Sequence, residues 1–143
     1  MALSSTPQAG NTRALARGST LPPHMRVITL DGSPFDYAGT WQRRNLLLVA
    51  LPPAGARDSD EAAWLAALDT SRQALETYDA AVVVTRDAVP GLDAPGVLVA
   101  DRWGEVAFVQ TARRIADLPP PAALDDWLKF VDHACPECEG EAR

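Results

Sequence analysis

The chain has 143 residues and a formal net charge of −6, with 47% hydrophobic and 22% charged residues. This length fits one domain with a single core and leaves no room for a second. The negative charge argues against nucleic acid and anionic lipid as partners. Residues 1–20 lack the continuous apolar stretch of a secretory signal, so we expect a cytoplasmic protein that does not enter a membrane.

The first 23 residues are rich in Ser, Thr, Gly, Ala and Pro and show no apolar periodicity. Such a composition is typical of an unpacked segment. We therefore predict a flexible arm over residues 1–23, a domain over 24–133 and an acidic tail over 134–143. Inside the domain, Arg26–Leu30 alternates polar and apolar residues before a turn at Asp31-Gly32-Ser33-Pro34, which predicts a strand and a hairpin-like connection.

Two continuous apolar runs, Leu46–Leu51 and Ala80–Thr85, predict strands covered on both faces of a sheet. Between them, Asp58 stands three residues before Glu61, which matches a capping box at the start of a helix. One face of that helix is apolar. Its residues are Trp64, Leu65, Leu68, Leu75 and Tyr78.

The second half of the chain predicts a hairpin and a final helix. Gly96–Ala100 and Glu105–Thr111 have strand composition, and the turn residues 101–104 would join them as an antiparallel pair. Three prolines at 119–121 then favour the start of a helix. Its apolar stripe runs through Leu124, Trp127, Leu128 and Val131 and ends near His133.

This order of elements resembles the thioredoxin fold. Ala94-Pro95, followed by an apolar strand, looks like the cis-proline strand of that superfamily, and the segments Val27–Asp36 and Trp41–Ala50 are similar to the peroxiredoxin branch. The resemblance implies an α/β domain with a central mixed sheet flanked by helices. It also implies, if the chain is an enzyme, a thiol oxidoreductase of the antioxidant type.

The chain departs from peroxiredoxins where their reactive cysteine stands. That family carries a Pro-x-x-x-Thr-x-x-Cys loop whose cysteine opens a helix. Counting from Pro52 puts Ala56 at the threonine and Ser59 at the cysteine. The resemblance therefore implies a degenerate relative that lacks the peroxidatic cysteine and has an accessory redox or interaction role. We interpret Asp58 and Ser59 as helix-capping residues.

A second departure is the segment 86–94, which is too short for the helix that usually lies between the second core strand and the cis-proline strand. One face of the sheet would then expose valine and leucine. We expect either a homodimer or the N-terminal arm to cover it, and a further protein partner fits the interaction role.

Both cysteines of the chain, Cys135 and Cys138, lie in the tail sequence Cys-Pro-Glu-Cys. Three interpretations stay open. The pair could carry dithiol–disulfide exchange without a cofactor, it could be an inert end of the chain, or it could hold structural zinc with His133 as a third ligand. Because a closed zinc site needs four ligands, two tails meeting in a dimer would complete one.

Overall fold

The computed structural model describes residues 13–53 and 59–134, and within these ranges six strands and two α-helices form. In chain order they are β1 (Arg26–Ile28), β2 (Pro34–Asp36), β3 (Asn45–Ala50), α1 (Glu61–Glu76), β4 (Ala80–Thr85), β5 (Gly96–Ala100), β6 (Val106–Thr111) and α2 (Pro121–His133). The predicted elements are all present. The first strand is shorter than predicted and pairs with β2 as a separate two-stranded ribbon.

The main sheet has four strands in the order β4-β3-β5-β6. Strand β3 runs parallel to β4, with Leu47 opposite Val82, and antiparallel to β5. Strands β5 and β6 form the predicted antiparallel hairpin, closed by a turn in which Gly104 has φ +85°. This mixed sheet flanked by helices is a thioredoxin-like α/β fold.

Both helices cover one face of the sheet, because their apolar stripes pack on the side chains that β3 and β5 direct to that face. The core of this face contains Leu47, Val49, Trp64, Leu68, Leu75, Val97, Val99, Leu124, Leu128 and Val131. Neither helix in the described part of the chain is long and apolar enough to cross a membrane.

As predicted, no helix forms between β4 and β5: residues 86–95 contain only an isolated bridge between Val89 and Leu92. Irregular chain covers this face instead. The buried side chains there come from the N-terminal segment, the β1–β2 ribbon, Tyr37 and the 86–95 loop. They include Leu21, Met25, Val27, Tyr37, Val89 and Leu92, which pack on Leu46, Leu48, Ala81, Val83 and Leu98.

Residues 13–23 belong to the domain rather than to a flexible arm. The Leu15 N–H donates to the Gly91 carbonyl (2.8 Å), and Val106 exchanges backbone hydrogen bonds with Gly18 and Ser19 at 2.8 Å each. Leu21 is only 1% exposed. The prediction from composition is wrong for this segment, because a few buried apolar side chains together with backbone hydrogen bonds are enough to hold it on the domain. Residues 15–21 of the predicted arm thus pack on the apolar face.

The outer edge of β4 is covered by donors from three other parts of the chain. The carbonyls of Asp79 and Thr85 point toward β3 and accept from the Asn45 and Leu51 N–H groups. Because successive carbonyls of a strand point to opposite sides, those of Ala80, Val82 and Val84 point to the open side. All three accept hydrogen bonds there. The donors are Arg44 Nη2 (2.7 Å), Arg72 Nη1 (3.3 Å) and the Leu30 N–H (3.0 Å), in that order.

Tyr37 is completely buried, and its hydroxyl has no hydrogen-bond partner among the described residues. Burial, and secondly the charge of Asp101, raise the pKa of Tyr37 from 10.0 to about 12. The folded protein thus holds the neutral phenol at a pH where an unfolded tyrosine ionises.

Tyr37→Phe should leave the protein at least as stable at pH 7, with a gain of up to about 1 kcal/mol, because an unpaired buried hydroxyl costs stability. Between pH 10 and 12 the parent should lose stability relative to the variant, since the unfolded chain releases the phenol proton first. Urea unfolding at pH 7 and pH 11 measures both effects. A variant that is clearly less stable at pH 7 would show that the hydroxyl is satisfied.

Candidate functional site

One end of the sheet, which we call the helix mouth, contains the carboxyl ends of β3 and β4, the start of α1 and the start of β5. Ala50 at the end of β3 is paired with Gly96 at the start of β5. The preceding Ala94–Pro95 peptide is cis, as the resemblance implies, and Pro95 is buried. Ser59 lies exposed in the turn just before α1. The structure therefore brings the two fold-signature positions, Ser59 and Pro95, to the same end of the sheet.

Helix α1 does not begin with the predicted capping box. Asp58 lies outside the described residues, and the N-cap is Asp60, whose side chain makes no capping hydrogen bond. Glu61 occupies the first helical position, and its carboxylate is bound by Arg86. The predicted capping box does not form, because the helix begins at Glu61 itself rather than two residues earlier, and the Glu61 carboxylate binds Arg86 instead.

Arg86 follows β4 directly and connects the segment after β3 with the first residue of α1 at the helix mouth. Its guanidinium donates Nη1 to the Pro52 carbonyl (2.9 Å) and both terminal nitrogens to the two carboxylate oxygens of Glu61. The hydrogen bond that Arg86 donates to the Glu61 carboxylate raises the pKa of Arg86. The Arg86 and Glu61 side chains are 29% and 19% exposed, so the pair is largely withdrawn from water.

The pair decides what the helix mouth can do. A helix N-terminus and an arginine both favour an anion. Here the Glu61 carboxylate already supplies the anion, and the hydroxyl of Ser59 is no nucleophile without a base to activate it. Sequence reasoning missed Arg86, although its position directly after a buried strand that ends at this edge was a usable signal.

A cleft of about 310 Å³ lies beside the helix mouth. Its lining combines apolar side chains with the exposed carboxylates of Asp87 and Asp93. The apolar part includes Ala50, Leu51, Val89 and Leu92. None of the described residues that line the cleft carries a thiol, so they offer shape and charge but no redox group.

The tail leaves the domain at the other end of the sheet, which we call the tail pole. Cys135 and Cys138 lie outside the described residues, and His133 is the exposed last residue of α2. Just before it, Asp132 Oδ1 accepts from Asn45 Nδ2 (3.3 Å) and lies 3.5 Å from Arg102 Nη2. Since Asn45 begins β3, whose other end leads to the helix mouth, His133 is not brought near Ser59 or Pro95.

In the described ranges, no group of three His, Cys, Asp or Glu side chains could hold a metal ion.

No protein-family model matches the chain, and no curated protein matches it either. Solved structures do. A thiol:disulfide interchange protein of the thioredoxin family from Chlorobium tepidum TLS aligns with a TM-score of 0.58 at 14% identity, covering 83% of this chain and 99% of that one.

Two further structures align comparably. A peroxiredoxin-like protein from Aquifex aeolicus gives a TM-score of 0.55 at 14% identity over 82% of this chain and 88% of its own. The apo form of Trgpx gives 0.55 at 12% identity over 80% and 97%. Likeness at this level of identity establishes the fold alone. The chain thus has the fold shared by thioredoxin-family and peroxiredoxin-like proteins.

A cysteine introduced at residue 59 tests whether the start of α1 still stabilises an anion at the helix mouth. In a Cys135→Ser, Cys138→Ser background, Ser59→Cys should alkylate faster at pH 7 than the control Ser33→Cys, because a helix N-terminus lowers a thiol pKa. Adding Glu61→Gln should increase the rate further, since it frees Arg86. The rate of iodoacetamide reaction measures this.

Ser33 is exposed in a turn away from any helix, and because its hydroxyl contacts the Asp31 carboxylate, the control also carries Asp31→Asn so that it reports the ordinary thiol rate. If Ser59→Cys reacted no faster than Ser33→Cys, the helix mouth would offer no stabilisation to an anion.

Proposed function

We propose that this chain is an accessory redox protein of thioredoxin-like fold, in which Cys135 and Cys138 carry thiol–disulfide exchange and the helix mouth takes no chemical part. The observation that carries the proposal is the separation of the two ends of the sheet. Ser59 with the Glu61–Arg86 pair lies at the helix mouth, while α2 ends and delivers the tail at the tail pole.

In the exchange, one tail thiolate attacks a disulfide of a protein substrate and expels one substrate sulfur as a thiolate. The second tail thiolate then attacks the mixed disulfide, which releases the other substrate sulfur. The substrate disulfide gains two electrons, and the tail pair loses two in forming its own disulfide. Peroxide reduction at residue 59 is not part of this function, because serine cannot form a sulfenic acid.

Thiol exchange should depend on the tail and not on the helix mouth. We expect Cys135→Ser and Cys138→Ser each to abolish catalytic reduction of a small protein disulfide by dithiothreitol, because resolution needs both sulfurs. Ser59→Ala should retain full activity. The assay follows thiol release from the substrate, with hydrogen peroxide consumption measured in parallel.

Peroxide consumption that survives both cysteine substitutions would contradict the proposal, as would activity lost in Ser59→Ala. An inactive parent would also contradict the exchange function.

A zinc-holding tail is a second candidate, supported by His133. This side chain is exposed at the end of α2, two residues before Cys135, and is free of any ion pair with described residues. Two such tails would supply more than the four ligands of a closed site. Metal analysis of the purified protein separates the candidates. About half a zinc ion per chain without turnover fits a dimeric binding module with closed four-ligand coordination, and metal-free protein with turnover fits the exchange function.

A further inference from the structure

The outer edge of β6 differs from that of β4, because most of its length is open. Strand β6 is the last strand of the sheet. Among the described residues, only the segment 18–20 pairs with its outer side, at Glu105 and Val106. The stretch 107–111 that follows has no neighbouring strand on that side in the described part of the chain.

The backbone of this open stretch is suited to pairing with another strand. The Ala112 N–H donates toward the β5 side, to the Pro95 carbonyl at 3.0 Å. Because successive residues of a strand alternate in direction, the N–H and C=O groups of Thr111 and Val109 point outward. These four groups have no hydrogen-bond partner within the described ranges. The β6 sequence Val-Ala-Phe-Val-Gln-Thr also lacks the proline and charged residues that usually protect an exposed edge.

A row of aromatic rings lies beside this edge on the helical face of the sheet. Phe108 of β6 stacks on Trp127 of α2 with ring centroids 4.8 Å apart, and Trp127 meets Phe130 edge-on at 5.9 Å. Phe130 is 51% exposed, more than any other large apolar side chain in the described ranges. Exposed aromatic area beside unpaired strand backbone is typical of a protein interface. We call residues 107–111 together with Phe130 the β6 surface.

We propose that two copies of this chain pair through the β6 surface, as antiparallel strands about a two-fold axis at Val109. The free stretch is centred on Val109, because the segment 18–20 occupies the edge at Val106 and β6 ends at Thr111. Val109 of each copy then donates its N–H to the carbonyl of Val109 of the partner subunit, and the two four-stranded sheets become continuous. Since this axis is perpendicular to the sheet, both α2 helices lie on the same face and their Phe130 rings lie beside the paired strands.

Charge complementarity supports this register. Residues equally far before and after Val109 face each other, so Glu105 lies nearest to Arg113 of the partner subunit, just beyond each end of the paired stretch. Both side chains are exposed, and neither has an ion-pair partner in the described ranges. The neighbouring Arg114, by contrast, lies 4.0 Å from Asp117 of its own chain. The two-fold axis therefore creates two ion pairs from groups that each copy leaves unpaired.

The same pairing limits the assembly to two copies. Both open β6 edges are used at the axis, and a further copy would need the outer edge of β4, where the carbonyls of Ala80, Val82 and Val84 are already occupied. The dimer goes beyond the proposed thiol exchange and does not depend on it, because no cysteine takes part in the pairing.

Sedimentation equilibrium of the full chain tests the dimer. A Cys135→Ser, Cys138→Ser background with EDTA prevents tail disulfides or zinc from joining two chains. We expect a dimer and no larger species. Val109→Pro should give a monomer, because proline removes the outward N–H at the axis and no hydrogen bond to β5. Circular dichroism checks that the variant is folded. A parent that stays monomeric at high micromolar concentration would overturn the proposal, and so would a folded Val109→Pro variant that still dimerises.

A charge swap tests the register independently of the proline variant. Arg113→Glu should raise the dissociation constant of the dimer roughly tenfold, because it replaces both ion pairs by repulsion. Adding Glu105→Arg should restore the parent value, which a general loosening of the fold cannot do. The matched control is Arg114→Glu, one residue along, which should have a smaller effect. An Arg113→Glu variant that dimerises as tightly as Arg114→Glu, or that Glu105→Arg does not rescue, would overturn the proposal.

Discussion

Strand β3 is buried along its whole length, and this constraint organises the rest of the molecule. Its side chains alternate between the two faces, so both faces of the sheet must be covered if leucine and valine are to be kept from water. Two amphipathic helices cover one face. Because the segment 86–95 is too short for a helix, the other face is covered by the N-terminal segment, the β1–β2 ribbon and a buried loop.

That arrangement also separates two kinds of chemistry along the length of β3. At its carboxyl end the helix mouth keeps features suited to an anion, namely a helix start and an arginine, but Glu61 satisfies both. At its amino end, α2 ends at His133, and both cysteines follow it in the sequence. Under the proposed thiol exchange, a protein substrate would approach the tail pole rather than the helix mouth.

Much of this fold is predictable from local sequence patterns, because the spacing of apolar residues shows which faces of a strand or helix must be buried. The runs at 46–51 and 80–85 gave buried strands, the spacing of Trp64, Leu68 and Leu75 gave the inner face of α1, and the 86–94 segment was correctly too short for a helix. The errors arose where the deciding partner is distant in sequence. Glu61 matched a local cap, yet Arg86, 25 residues away, binds it.

The same reason explains the other errors. The N-terminal segment carries too few apolar residues to show a period, and it is held by backbone groups of Gly91, Gly104 and Val106, which no local pattern reveals. At the candidate site, the sequence located Ser59 and Pro95 but not the Glu61–Arg86 ion pair at the same end of the sheet. The tail chemistry depends on residues 135–143, for which the sequence alone provides the argument.

The covered edge of β4 restricts how this protein can associate. Sheets grow by adding a strand whose N–H groups find free carbonyls, and a bare outermost strand invites such growth into aggregates. On β4 the acceptors of Ala80, Val82 and Val84 are already taken by two guanidinium groups and one backbone amide. Another copy of this chain therefore cannot add a strand to the outer edge of β4. Even at high protein concentration, this edge should not extend the sheet from one molecule to the next.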